Sequence, residues 1–140
     1  MNDNTSKIAV LIDGENAQPN LLGHILSEVA KQGIVTIRRI YGDWTSPHMN
    51  GWKKELHIHA VQPIQQFKYT TGKNSTDSAL IIDAMDILHG GVVNGFCIVS
   101  SDGDYTRLAT RLRESGVFVM GIGQKKTPQP FVKACELFVY

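Results

Sequence analysis

Two aspartates, Asp102 and Asp104, stand with a single glycine between them just after a short apolar run, 95–99, and just before a stretch of helical character, 105–115. A strand-to-helix turn in an open parallel sheet lies at the carboxyl ends of the strands, where ligands bind. Carboxylates this close repel each other unless a cation sits between them, and a divalent ion with oxygen ligands is the common solution. Helix capping uses the same residue types at the same turns, with Asp104 as N-cap and Asp102 as a strand-end turn residue. The pair alone therefore leaves both readings open. Asp13 ends another apolar run, 7–12. It meets Asp102 in one crevice if the two strands are neighbours at the point where strand order reverses.

A helical count adds Asp77. With Asp77 at zero and 100° per residue, Leu80, Ile81, Ala84, Met85 and Leu88 fall at about 300°, 40°, 340°, 80° and 20°. Asp77 is then on the sheet-facing side, in the first turn of a helix over 76–89. A carboxylate there is costly unless paired or metal-bound, although an acid in a first turn also favours the helix dipole. By the same count Asp83 and Asp86 fall at about 240° and 180°, toward the flank and solvent. Asn16, three residues after Asp13, can accept from a ligand water or donate to a phosphate. Ser100 and Ser101 can hydrogen-bond the acids or a water. For all three a local turn bond is the alternative role.

These residues need a frame that brings strand ends together. Apolar runs at 7–12, 34–40, 59–64, 95–99, 116–121 and 137–140 read as strands. Helical spacing follows Pro19 until Gly33, and helices are expected over 47–56, 76–89, 105–115 and 130–135, with a polar loop over 65–75. Strands alternate with helices, and most strands are apolar on both faces. This predicts a Rossmann-like, three-layer α/β fold: a mostly parallel sheet of five or six strands with helices on both faces. His57 and His59 would share one strand face and could make half of a metal site.

With 140 residues, 42% hydrophobic and 19% charged, the chain suits one globular domain with a single core. A net charge of +1 gives no global basic field, so any polyanion site must be local. Cys97 and Cys135 lie far apart in apolar runs and read as reduced core residues of a cytoplasmic protein. Residues 1–6 are polar, without the apolar segment of a secretory leader. No apolar run approaches the ~18 residues of a membrane span. The ending in an apolar strand, 137–140, suggests that more protein follows.

Taken in order, Ile12-Asp13-Gly14-Glu15-Asn16, Lys73-Asn74-Ser75-Thr76-Asp77 with Asp83 six residues on, and Ser100-Ser101-Asp102-Gly103-Asp104-Tyr105 resemble the NYN domain family, and most of all the LabA-like branch of PIN-fold ribonucleases. The ending Cys135-Glu136-Leu137-Phe138-Val139-Tyr140 is similar to that branch's final strand. The resemblance covers nearly the whole chain. It implies a PIN-like sheet and a Mg²⁺ or Mn²⁺ site that hydrolyses RNA phosphodiester bonds. Asp13, Asp77, Asp102 and Asp104 match the acidic site, as catalytic and metal-binding residues, with Asn16, Asp83 and Ser101 in support. Glu15 departs from the family, which often has a smaller or apolar residue there. Some members carry a LOTUS-type RNA-binding domain after this one.

Metal-assisted hydrolysis would orient a water and neutralise charge developing on the phosphate. Lys68, Lys73, Tyr69, Trp44 and Tyr105 fall in expected loops or turns and are candidate RNA contacts, because aromatics stack bases and lysines meet phosphates. Lys125 and Lys126 could line the same edge. A Toprim-like nuclease needs a glutamate where Asp13 stands, and a haloacid-dehalogenase-type phosphatase needs an Asp-x-Asp that Asp13-Gly14-Glu15 does not supply. The alternative from another class is a catalytically silent RNA-binding or regulatory module on the same scaffold. A second copy of the chain is a partner that the sequence leaves open.

Overall fold

Six strands form one sheet: β1 (Lys7–Asp13), β2 (Ile34–Gly42), β3 (Gln62–Gln65), β4 (Gly95–Val99), β5 (Phe118–Ile122) and β6 (Leu137–Val139). The computed structural model describes residues 6–66 and 75–140, and of 75–78 the backbone only. The strands lie in the order β3-β2-β1-β4-β5-β6, and every pairing is parallel. The chain builds outward from β1 to β3, crosses back, and builds outward again from β4. Order therefore reverses between β1 and β4, where Ile12 is in register with Val99. That gap between neighbouring strand ends is the usual ligand crevice of such sheets.

Helices α1 (Leu22–Ala30) and α2 (Trp52–His59) cover one face, and α3 (Ser75–Gly90), α4 (Thr106–Glu114) and α5 (Gln129–Ala134) cover the other. The central strands are apolar on both faces because each face meets a helical layer. Ile8, Val10 and Ile12 pack with Leu22, Ile25 and Trp52, whereas Ala9 and Leu11 pack with Leu80, Ala84 and Leu108. Among the described residues no helix is long and apolar enough to cross a membrane.

Two local expectations are corrected. Helix α2 runs to His59, beyond the expected end at 56, and the third strand begins at Gln62 rather than at 59. The helix is closed by Ala60, which takes the left-handed conformation at φ 54° and donates its N–H to the Leu56 carbonyl. His57 and His59 therefore sit on a helix, and the shared strand face falls away. His59 instead lies 3.7 Å from Glu55, one turn back.

The second correction concerns the rotation of α3. Leu80, Ala84 and Ile87 are its buried residues, and on the count from Asp77 they centre on about 305°. Ile81, Met85 and Leu88 are only partly buried. This turns Asp83 toward β2, while Asp86 is exposed, as expected. Most of the expected loop over 65–75 lies outside the described residues.

Candidate functional site

Asp13 is the last residue of β1 and only 1% exposed. The turn after it winds back over its own carbonyl, to which Asn16 and Ala17 donate their N–H groups. Gly14 makes that turn fit. Its N–H bonds the Tyr41 carbonyl, and a Cβ there would come within 2.8 Å of the same oxygen.

Three donors hold the Asp13 carboxylate. The Glu15 N–H reaches Oδ1 at 3.2 Å, and Oδ2 accepts from Asn16 Nδ2 at 2.7 Å and Ser100 Oγ at 3.0 Å. The Ser100 contact joins residues 87 positions apart, from β1's end to β4's. Burial pushes the Asp13 carboxyl above its usual range. The three hydrogen bonds act against that, and the neighbouring Asp102 charge adds to it.

Across the crevice, the Ser100 hydroxyl accepts from the Asp102 N–H at 3.0 Å. One buried hydroxyl thus fixes both acids. Asp102 is the N-cap of the 3-10 turn Gly103–Tyr105, its Oδ1 accepting from the Asp104 N–H at 2.9 Å. Capping at this turn is therefore real, but Asp102 caps and Asp104 does not. Among the described residues, Asp102 Oδ2 and the exposed Asp104 carboxylate accept no hydrogen bond.

The other expected site residues divide clearly. Asn16 touches Asp13, as a supporting residue should. Ser101 does not: its Oγ accepts from the Gln124 N–H at 2.8 Å and ties the turn to the loop after β5. Ser100, in the same turn and less favoured, takes the supporting place. Asp83 accepts from the buried Tyr41 hydroxyl at 2.7 Å and from Arg39 Nη1 at 3.2 Å. It is bound to β2 rather than left on the flank. Burial, and then this acidic neighbour, hold the Tyr41 phenol protonated well above its usual range.

Tyr105 is corrected as an RNA contact. It is wholly buried, with its ring 6.5 Å from that of Phe131, and presents no face to a base. The side chain belongs to the helix-covered core because the 3-10 turn it closes leads straight into α4. Trp44 is half-buried, and its indole N–H donates to the Ile64 carbonyl at 3.0 Å, so it serves chiefly to hold the ends of β2 and β3. The Asp77 carboxylate, Lys68, Tyr69 and Lys73 lie outside the described residues. Lys125 and Lys126 are exposed just past β5.

An acidic feature that the sequence reading did not use lies beside Asp13. Glu15 accepts from the Asp43 N–H at 3.3 Å and lies 3.0 Å from His48 Nε2. Asp43 Oδ1 accepts from Thr45 and from Gln65 Nε2. Asp43 comes directly after β2 and Asp13 ends β1, so the strand-end rule that flagged Asp13 could have flagged it.

The donor set suits a hard cation. A carboxylate offers about four lone-pair sites, and three donors reach Asp13, leaving room for one ligand bond. Its burial beside a second carboxylate makes a bound positive charge favourable. Among the described residues no three His, Cys, Asp or Glu side chains cluster closely enough to hold an ion unaided.

A protein of unknown function from Vibrio parahaemolyticus RIMD 2210633 has a similar structure, with TM-score 0.79 at 20% identity, covering 99% of this chain and 94% of that one. This likeness bears on the fold alone. The WlbA dehydrogenase from Bordetella pertussis aligns with a TM-score of only 0.46 at 12% identity, over 100% of this chain and 36% of that one, too slight a likeness to bear on either fold or function. A search of curated proteins finds no match. The NYN domain family model matches residues 7–140. With the order of strands, the strand-end acids and that match in agreement, the chain belongs to the NYN domain family.

Proposed function

We propose that this NYN domain is a ribonuclease of the LabA-like, PIN-fold type that hydrolyses RNA phosphodiester bonds with Mg²⁺ or Mn²⁺. The observation that carries the reading is the buried Asp13 carboxylate at the switch point, joined to Asp102 through Ser100. Asp13 and Asp102 would hold the ion, with Asp77 from the first turn of α3 and Asp104 completing the set. A bound divalent ion supplies Lewis acidity and an activated water. The chain's own part is preorganisation. Ser100 and Asn16 occupy Asp13 Oδ2 and fix the carboxylate, which leaves the open position on Oδ1 for the ion, and the cap occupies Asp102 Oδ1, which leaves Oδ2 for it. Asp104, exposed within the same 3-10 turn, would orient water or a second ion.

The use of Asp102 as a cap favours one other reading, a silent RNA-binding or regulatory module. Incubation of mixed structured and unstructured RNAs with Mn²⁺, with and without chelator, separates the two. Cleavage that the chelator stops is expected. Asp102→Asn retains an oxygen for the cap and relieves a like-charge contact, so its melting temperature should hold or rise. Its cleavage should drop about a hundredfold or more, given that even outer partners of metal ligands cost up to that much. Wild-type cleavage by the pure variant would remove Asp102 from the mechanism. Absence of both cleavage and Mn²⁺ binding in the wild type would leave the silent module.

A further inference from the structure

A cavity of about 170 Å³ opens between α1 and the carboxyl ends of β4 and β5. Leu21, Ile25, Val99 and Ile122 wall it with aliphatic surface. The exposed residues His24 and Gln124 line it as well. Asn16 and Ser100 also line it, and both donate to Asp13 Oδ2. The cavity therefore begins one hydrogen bond from the buried carboxylate.

We infer that this cavity receives one unpaired nucleobase of an RNA strand whose phosphate lies at the Asp13–Asp102 crevice. The inference rests on the ribonuclease reading and adds a base subsite to it. Size supports it, because a dry cavity of about 150 Å³ admits benzene, so one planar ring fits and a base pair does not. Chemistry supports it as well. A base has apolar faces and a polar edge, and the cavity has aliphatic walls with His24 and Gln124 among its lining residues. Leu21 is 45% exposed, so apolar surface continues to the mouth. Lys125 and Lys126 follow Gln124 directly, and among the described residues neither pairs with a carboxylate. They are placed to take neighbouring phosphates, which position a strand without reading it. A base in a duplex would first have to be unpaired and flipped out of its stack.

Methyl and amide NMR of the wild-type protein in EDTA tests this without cleavage. Three probes are titrated: a short mixed-sequence single-stranded RNA, its duplex, and an abasic strand with the same phosphates. The single strand should move the methyl resonances of Leu21, Ile25 and Ile122. The duplex and the abasic strand should move only amides near Asn16 and Lys125. Leu21→Ser, at a site exposed enough to spare the fold, should weaken single-strand binding about tenfold, the scale of one base contact, and leave abasic-strand binding unchanged. Single-strand shifts near Asp13 with still methyls overturn the base pocket and leave the ribonuclease reading standing. Equal methyl shifts with duplex also overturn the pocket. No shift with any RNA overturns the pocket, and the ribonuclease reading is then decided by the cleavage assay with Mn²⁺ and chelator.

Discussion

Asp13 holds its charge against the preference of its surroundings. Its folded pKa is raised above 3.8, chiefly by burial, so the folded state binds more protons than the unfolded state in the interval above that value. Its contribution to stability is thus most favourable in acid. It declines as pH rises from 3.8 to the folded value, and stays low above that. In EDTA, the melting temperature of Asp13→Asn minus that of wild type should increase from about pH 3 to about pH 7, on top of any constant offset from the altered contact with the Glu15 N–H. Mn²⁺ should then narrow the difference by stabilising the wild type alone. A difference flat with pH would show that burial does not tax this carboxylate. At this scale the sequence told much. An acid at a strand's end is legible because the apolar run before it is. Which of two adjacent serines turns inward was not, because Ser100 and Ser101 differ only in which side of the turn they face.

Helix α3 acts as a rod whose rotation decides which acids can serve the crevice. The Tyr41–Asp83–Arg39 contact pins it to β2 near its middle. Asp83→Ala leaves a buried phenol without its acceptor, and should cost about 1–3 kcal/mol in chemical denaturation. Adding Tyr41→Phe should recover part of that loss, because the stranded hydroxyl is removed. Asp86→Ala should stay within about 0.5 kcal/mol. If Asp83→Ala is as mild as Asp86→Ala, the rotation is set elsewhere. A count over Leu80, Ile81, Ala84, Met85 and Leu88 that leaves out Ile87 puts Asp83 on the flank, and the burial of Ile87 pulls the stripe toward β2. The border between α2 and β3 was hidden for a different reason. A left-handed stop usually announces itself as glycine, and here it is Ala60. The β-branched strands of the sheet's centre carried no such ambiguity, since burial on both faces writes them as unbroken apolar runs.

Across the molecule, the two helical layers close over the sheet's centre. Cys97, on β4, is wholly buried, and burial holds its thiol above the usual range. Cys135 is 7% exposed, and burial pushes its thiol up to about 12. In a Cys135→Ala background, Cys97 should react with a disulfide reagent only as fast as the whole domain opens, with the denaturant dependence of global unfolding. Prompt reaction in native buffer would reveal a local opening at the heart of the sheet. The expected three-layer architecture is the one observed, because alternation of strand and helix leaves few other ways to cover a parallel sheet. The strand order has a further consequence in time. The crevice is a seam between an early half of the chain, β1 to β3, and a late half, β4 to β6, and its key contact spans 87 positions. During synthesis, a chain that has emerged only as far as Asn94 carries Asp13 but neither Ser100 nor Asp102. Until β4 docks beside β1 there is no seam, so a truncated or stalled product has half the acids and none of the site.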